Sequence, residues 1–327
     1  MKFDRLAYNP GSLLTMSEVI SFAKLADRNK RIHSLWIPES WGREAFTSLG
    51  AMSQATRNVK LGTAIINIYS RTPATIAMAA STLDMLSQNR AMIGLGVSTP
   101  AIVEGFHGLT FAEPVRRMRE YIECIRAMLK GDRVDYNGKY VRAKGFKLLY
   151  RPQRENIPIF VACVNANMIS LACDMADGVL LYLRPIEELK ETVMRIKFAT
   201  KDKKSFEIAC ILICAVSSRE PEKARARAAK TLAFYLSVGK YYHNFVSNNG
   251  FRKETERIAI EYRQNGLEAA SCVVPQSMLD SLTIYGTADE CVKSLSKFIS
   301  TGITLPILQV NPVCGAESSF REMLTTF

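Results

Sequence analysis

Residues 61–108, LGTAIINIYSRTPATIAMAASTLDMLSQNRAMIGLGVSTPAIVEGFHG, constrain the fold more than any other stretch of the chain. Two short apolar runs, 61–67 and 92–96, flank one amphipathic segment. Thr72 followed by Pro73 marks the start of a helix, a side-chain cap and then the residue favoured at the first helical position. Ile76, Ala79, Ala80, Leu83 and Leu86 recur at helical spacing and predict its buried face. A strand–helix–strand unit with a crossover of this length implies parallel neighbouring strands.

The same alternation runs along the chain. Strands are expected at 3–7, 35–37, 59–67, 92–96, 159–163, 179–182, 206–216 and 305–310, with helices between them. Thr15 with Glu18, and Thr287 with Glu290, have the spacing of capping boxes. Two segments break the repeat. Residues 133–150 hold Asn137-Gly138, a pair suited to a two-residue hairpin turn. Residues 239–274 read as a mostly helical insertion. With no linker rich in Pro, Gly or Ser and no repeat of fixed period, eight β–α units in 327 residues favour a single α/β domain over 1–327, a TIM (β/α)8 barrel with insertions.

No run of eighteen apolar residues is present, and the first ten residues lack an apolar signal-peptide core, so a cytoplasmic protein without a membrane partner is expected. The eight cysteines form no CxxC and read as reduced, mostly buried thiols, and no Cys/His/carboxylate cluster has metal spacing, so no metal site is expected. The net charge of +12 comes from scattered Lys and Arg with no nucleic-acid-binding motif. Solvated helix faces explain it, and an acidic small-molecule partner is the second reading.

In a barrel the chemistry lies at the C-terminal ends of the strands. Strand two ends at Glu39, Ser40 and Trp41, a carboxylate beside a ring able to wall a planar ligand. Strand three ends at Ala64-Ile65-Ile66-Asn67, followed by Arg71. Strand four ends at Gly96-Val97-Ser98, where glycine and hydroxyl groups suit an anion cradle but lack a Rossmann or P-loop signature. Glu104 and His107 follow and suit acid/base work. Strand five ends at Val164-Asn165-Ala166-Asn167, a phosphate-side candidate or an ordinary helix cap. With three histidines and no Ser/His/Asp set at strand ends, an organic cofactor is the expected source of chemistry.

The 61–87 stretch, the glycine-containing strand end, Val103-Glu104-Gly105-Phe106-His107-Gly108, Trp36-Ile37-Pro38-Glu39-Ser40-Trp41 and Ala176-Asp177-Gly178-Val179 together resemble the bacterial-luciferase-like superfamily. Within it they are similar to the reductases that use the deazaflavin coenzyme F420, in the subgroup of methylenetetrahydromethanopterin reductase. The resemblance implies hydride transfer between the deazaflavin C5 and a small organic substrate, with 5,10-methylenetetrahydromethanopterin as one candidate. It implies a cis peptide at Ala64–Ile65 behind the ring, and Glu39, Ser40 and Asn67 lining it. Gly96, Val97, Ser98 and Val164–Asn167 would take the phosphate side, and Glu104 or Glu39 would handle the proton, with His107 beside them. A homodimer is implied as well. Two positions depart from the pattern: Leu6 stands where methanopterin reductases carry an acidic residue, and Asn165-Ala166 replaces a Gly-Pro pair. An FMN-dependent luciferase-like monooxygenase and a non-catalytic flavin- or deazaflavin-binding protein are the alternatives.

Overall fold

A computed structural model describes residues 3–327. The fold is an α/β TIM barrel, whose parallel strands are β1 (Leu6–Asn9), β2 (Ile32–Ile37), β3 (Lys60–Thr63), β4 (Ala91–Gly96), β5 (Ile159–Ala162), β6 (Gly178–Tyr182), β7 (Glu207–Val216) and β8 (Leu305–Val310). Two compact units divide the chain. One takes residues up to Ile32, Leu181–Lys201 and Ile208–Phe327, and the other takes His33–Leu180 with Asp202–Glu207. Both are assembled from separated stretches of sequence. Of the expected 1–327 span, residues 1 and 2 lie outside the described residues.

In the His33–Leu180 unit, β2, β3, β4 and β5 pair in that order, all parallel, with Leu35 opposite Leu61, Gly62 opposite Met92 and Ile93 opposite Ile159. The crossover helix between β3 and β4 is Pro73–Leu86, capped by Thr72, whose hydroxyl accepts from the Thr75 amide. It buries Ile76, Ala77, Ala80 and Leu83. Leu86, expected on that face, is 48% exposed, and Met78 is 47% exposed. Together with Phe46, Gly50 and Ala79 they line an apolar groove of about 480 Å³ against the helix Ala45–Ala55. Inside the ladder, Gly62 makes room for Trp36, since a Cβ there would stand 2.4 Å from the indole ring. Trp36 in turn meets Phe160 edge-on at 5.1 Å.

In the other unit, β7 pairs with β8 and β8 with β1, again parallel. A short strand, Thr283–Gly286, which has no counterpart among the expected elements, adds beside the end of β7. The capping boxes at Thr15 and Thr287 both form. The 239–274 insertion consists of the helices Lys240–Val246 and Arg252–Cys272 joined by an irregular turn at Ser247–Phe251. It packs Val246, Ile258 and Ala270 against Leu232 and Leu236 of Pro221–Val238. Among the described residues no helix is long and apolar enough to cross a membrane. Six cysteines are buried free thiols, while Cys272 and Cys314 are exposed.

Three expectations need correction. The first strand runs Leu6–Asn9, not 3–7, because pairing starts where Ala7 meets Ile307. The third is not continuous over 59–67: Lys60–Thr63 pairs with β4, the ladder breaks at Ala64–Ile65, and Ile66–Asn67 resumes opposite Leu95 and Gly96. The hairpin Val134–Asn137 with Arg142–Phe146 has a four-residue loop rather than a two-residue turn, closed by the Gly138 amide donating to the Val141 carbonyl at 2.8 Å. Neither Asn137 nor Gly138 has a positive φ. Glycine is needed at 138 for a different reason, since a Cβ there would stand 2.4 Å from Glu120 Oε2. That buried carboxylate accepts the amides of Lys139 (3.0 Å), Tyr140 (2.7 Å) and Val141 (3.0 Å), and so dictates the loop. Burial alone would raise the Glu120 pKa, but these donors outweigh it and hold it below the usual range.

Candidate functional site

All the sequence-predicted site residues fall in the His33–Leu180 unit, at the ends of β2 to β5. The break in the third strand is the centre of the arrangement. The Ala64 amide donates to the Ile37 carbonyl (2.8 Å), and the peptide bond from Ala64 to Ile65 is cis, as the resemblance implied. Thr63 and Gly94 lock the two strands just before it. The Thr63 hydroxyl donates to the Gly94 carbonyl (2.9 Å) and accepts the Gly94 amide (2.8 Å). A Cβ on Gly94 would lie 2.0 Å from the Thr63 carbonyl oxygen, and one on Gly96 would lie 2.5 Å from the Ile65 side chain. The glycines of 94–96 therefore serve the close approach of these strands. Val97 and Ser98 follow, half-buried, with Ser98 at φ +58°.

Asn67 ends this run, 5% exposed. Its Oδ1 accepts the Tyr69 amide at 2.9 Å, which fixes the amide orientation because a backbone N–H needs an acceptor. Its Nδ2 is then a buried donor with no hydrogen-bond partner. An unsatisfied buried donor costs about 1–3 kcal/mol, and such groups in native proteins call for an explanation. A ligand bringing an acceptor to the end of the third strand would satisfy it, so the residues present fit a cofactor that offers a hydrogen-bond acceptor there.

Glu39 is differently employed. Arg71 grips it with both terminal nitrogens, Nη2 donating to Oε2 at 2.8 Å and Nη1 to Oε1, and the Ala45 amide donates to Oε2 at 2.9 Å. Arg71 also reaches Glu44 Oε1 (2.5 Å), whose carboxylate caps the helix by accepting from Phe46 (3.1 Å) and Thr47 (2.6 Å). Burial pulls the Arg71 pKa down, but the two carboxylates outweigh it and raise it. Burial pushes Glu44 up, and the amides of Thr47 and Phe46 with Arg71 bring it below its usual value. This clasp joins the loops after the second and third strands. Its residues lie five and twenty-seven positions from Glu44, so spacing alone could not reveal it.

Ser40 and Trp41 are exposed, and Trp41, at 59% exposure, meets the exposed Phe106 edge-on at 6.2 Å. Glu104 and His107 lie exposed on and just after the short helix Pro100–Gly105, where Glu104 Oε1 accepts the Phe111 amide at 3.2 Å. At the fifth strand Asn165 caps the helix Ala166–Met175 by accepting the Met168 amide (3.0 Å), and Ala166 and Asn167 are exposed in its first turn beyond the half-buried Val164. The structure thus joins Ile65 to Gly96, Asn67 to Tyr69 and Glu39 to Arg71, while Glu104 is tied to Phe111 and Asn165 to its own helix.

In the other unit, the ends of β6 and β8 carry Tyr182 and Gln309, linked by the tyrosine hydroxyl donating to Oε1 at 2.7 Å. Tyr235 and Tyr242 close edge-on over Tyr182 at 5.1 and 5.5 Å. Burial raises the pKa of Tyr182 well above the phenolic range, so it is a neutral donor. Sequence reading missed this group because Tyr242 belongs to the insertion.

The profile of the luciferase-like monooxygenase family matches residues 4–305. A Mycobacterium tuberculosis protein with the provisional name coenzyme F420-dependent oxidoreductase is 29% identical over 314 residues, covering 89% of both chains. The 5,10-methylenetetrahydromethanopterin reductase of Archaeoglobus fulgidus is 26% identical over 295 residues, 88% of this chain and 87% of that one. Among solved structures, the coenzyme F420-dependent tetrahydromethanopterin reductase of Methanopyrus kandleri superposes with a TM-score of 0.85 at 21% identity, over 98% and 97% of the two chains, a likeness of fold. The chain belongs to the luciferase-like monooxygenase family.

Proposed function

We propose that the chain is a coenzyme F420-dependent oxidoreductase acting on a small organic substrate. The observation that carries this is the buried, unpartnered Nδ2 of Asn67 at the end of the broken third strand, in a chain similar to a protein provisionally named a coenzyme F420-dependent oxidoreductase. When bound, the deazaflavin supplies a hydride donor or acceptor at C5. Ala64 and Ile65 would back the ring, and Asn67 would donate to an acceptor on the cofactor. Ser40 lines the same side, and Glu39, engaged by Arg71 and Ala45, holds that wall in place. Gly96, Val97, Ser98 and the 164–167 turn would take the phosphate side. The chain's +12 charge suits an acidic cofactor.

Glu104 is the proton-handling group of this proposal. Its Oε1 holds the Phe111 amide, and its exposure leaves the carboxylate accessible to substrate, whereas both oxygens of Glu39 are committed. His107 stands beside it as the second candidate. The candidate substrate is 5,10-methylenetetrahydromethanopterin. The exposed Met78 and Leu86 with the groove beside them support a homodimer, and a cytoplasmic location is part of the same reading. The test mixes reduced F420 with 5,10-methylenetetrahydromethanopterin and follows the return of the oxidised deazaflavin absorbance. Turnover supports the substrate, and bleaching of oxidised F420 by a secondary alcohol without it would replace that substrate with an alcohol.

A further inference from the structure

Tyr69, whose amide holds Asn67, belongs to a stack of side chains and is itself buried. Its ring lies against Phe111 with centroids 5.4 Å apart and planes at 21°. Against Tyr69 the Arg117 guanidinium carbon stands 4.4 Å from the ring centroid, and 4.6 Å from the centroid of Tyr140. The Tyr69 hydroxyl donates to the Ala112 carbonyl at 3.2 Å. Arg117 and Glu120 lie three residues apart on the helix Pro114–Leu129, a spacing that places both on one face. From there Arg117 holds the ring of residue 140 and Glu120 holds its amide. Arg117 Nε is buried without a hydrogen-bond partner, and the guanidinium is held by the faces of Tyr69 and Tyr140 together with the phenol groups of Tyr69 and Tyr121.

We propose that Arg117 is a positioning residue. Acting through Tyr69, it fixes the Asn67 side chain so that Nδ2 meets a hydrogen-bond acceptor, a ring carbonyl or ring nitrogen, on the planar cofactor. The proposal rests on the cofactor reading above, which supplies the acceptor. The guanidinium stacks with aromatic faces and recognises no part of the ligand itself. The hairpin containing Tyr140 thereby belongs to the support of the cofactor site.

The test compares wild type, Arg117→Leu, Asn67→Ala and the double variant. Deazaflavin affinity is measured by fluorescence titration, and exchange of the Tyr69 amide by hydrogen–deuterium exchange of the ligand-free protein. Each single variant is expected to weaken binding about tenfold, and the double variant by no more than about the same factor, because both remove one interaction. The Tyr69 amide is expected to exchange about tenfold faster in Arg117→Leu, while Ile93 in the core keeps its rate. Arg117→Lys, which keeps charge but loses the plane, is expected to fall between, and it replaces Arg117→Leu should that variant not fold. A double variant weakened by the product of the single effects, or an unchanged Tyr69 exchange rate, overturns the proposal. If wild type binds no deazaflavin, the cofactor reading fails, and the exchange measurement alone judges whether Arg117 holds Tyr69 and Asn67.

Discussion

The side chain of Ile65 fills the space in front of Gly96, so that a Cβ on Gly96 would stand 2.5 Å from both its Cγ1 and its Cδ1. Gly96→Ala must therefore push Ile65 out of place. Such overpacking costs about 1–3 kcal/mol. Urea denaturation is expected to show that loss, together with weakened deazaflavin binding. Unchanged stability and affinity would mean that Ile65 moves aside without consequence.

The clasp of Arg71 on Glu39 is the second test. Arg71→Met leaves the Glu39 carboxylate with the Ala45 amide alone and takes a donor from Glu44. Hydrogen bonds to charged groups contribute about 1.5–3 kcal/mol each, so a loss of about 2 kcal/mol is expected in thermal or chemical unfolding. Arg71→Lys should restore part of it, since a point charge cannot reproduce the two-pronged grip.

Glu120 makes the hairpin sensitive to acid. Burial opposes its charge, but the Tyr140, Val141 and Lys139 amides overcome this and depress its pKa in the folded protein. A depressed carboxylate contributes stability that is present above its unfolded pKa, about 4.3, and is lost as pH falls through the folded value. Glu120→Gln is expected to cost about 1–3 kcal/mol at neutral pH. The difference from wild type should shrink below about pH 4. Amide exchange at residues 139–141 across pH measures both limbs, and a pH-independent difference would contradict the account.

Glu104→Gln separates proton handling from binding. Glutamine keeps an oxygen for the Phe111 amide, so the loop next to Tyr69 is preserved. Removing a positioned proton-transfer group slows turnover about a hundredfold or more. The expected result is that loss in kcat with deazaflavin affinity unchanged. Full turnover in the variant would move the proton role to His107 or to solvent.

Much of this architecture was legible in the sequence, and what escaped has a common cause. Local patterns specify local structure: Thr72-Pro73, Thr15 with Glu18 and Thr287 with Glu290 each start the helix they announce. Strand ends could be located by apolar runs, which brought Asn67 and Gly96 to adjacent strands in register. The roles of single side chains depended on partners far along the chain. Gly138 reads as a turn glycine until Glu120 is found beneath it. Glu39 reads as an acid/base candidate until Arg71 closes on it, and Arg117 reads as one of several surface cations until Tyr69 and Tyr140 are seen against its guanidinium. Leu86 has helical spacing for burial yet faces a groove, because the helix Ala45–Ala55 covers only part of that side.

The central claim is that this barrel holds a deazaflavin, and a direct titration of the purified protein with coenzyme F420 and, separately, with FMN tests it. Following the fluorescence of each chromophore, the account predicts saturable binding of F420, weakened about tenfold by Asn67→Ala, and much weaker binding of FMN. Tight binding of FMN with none of F420 would contradict it.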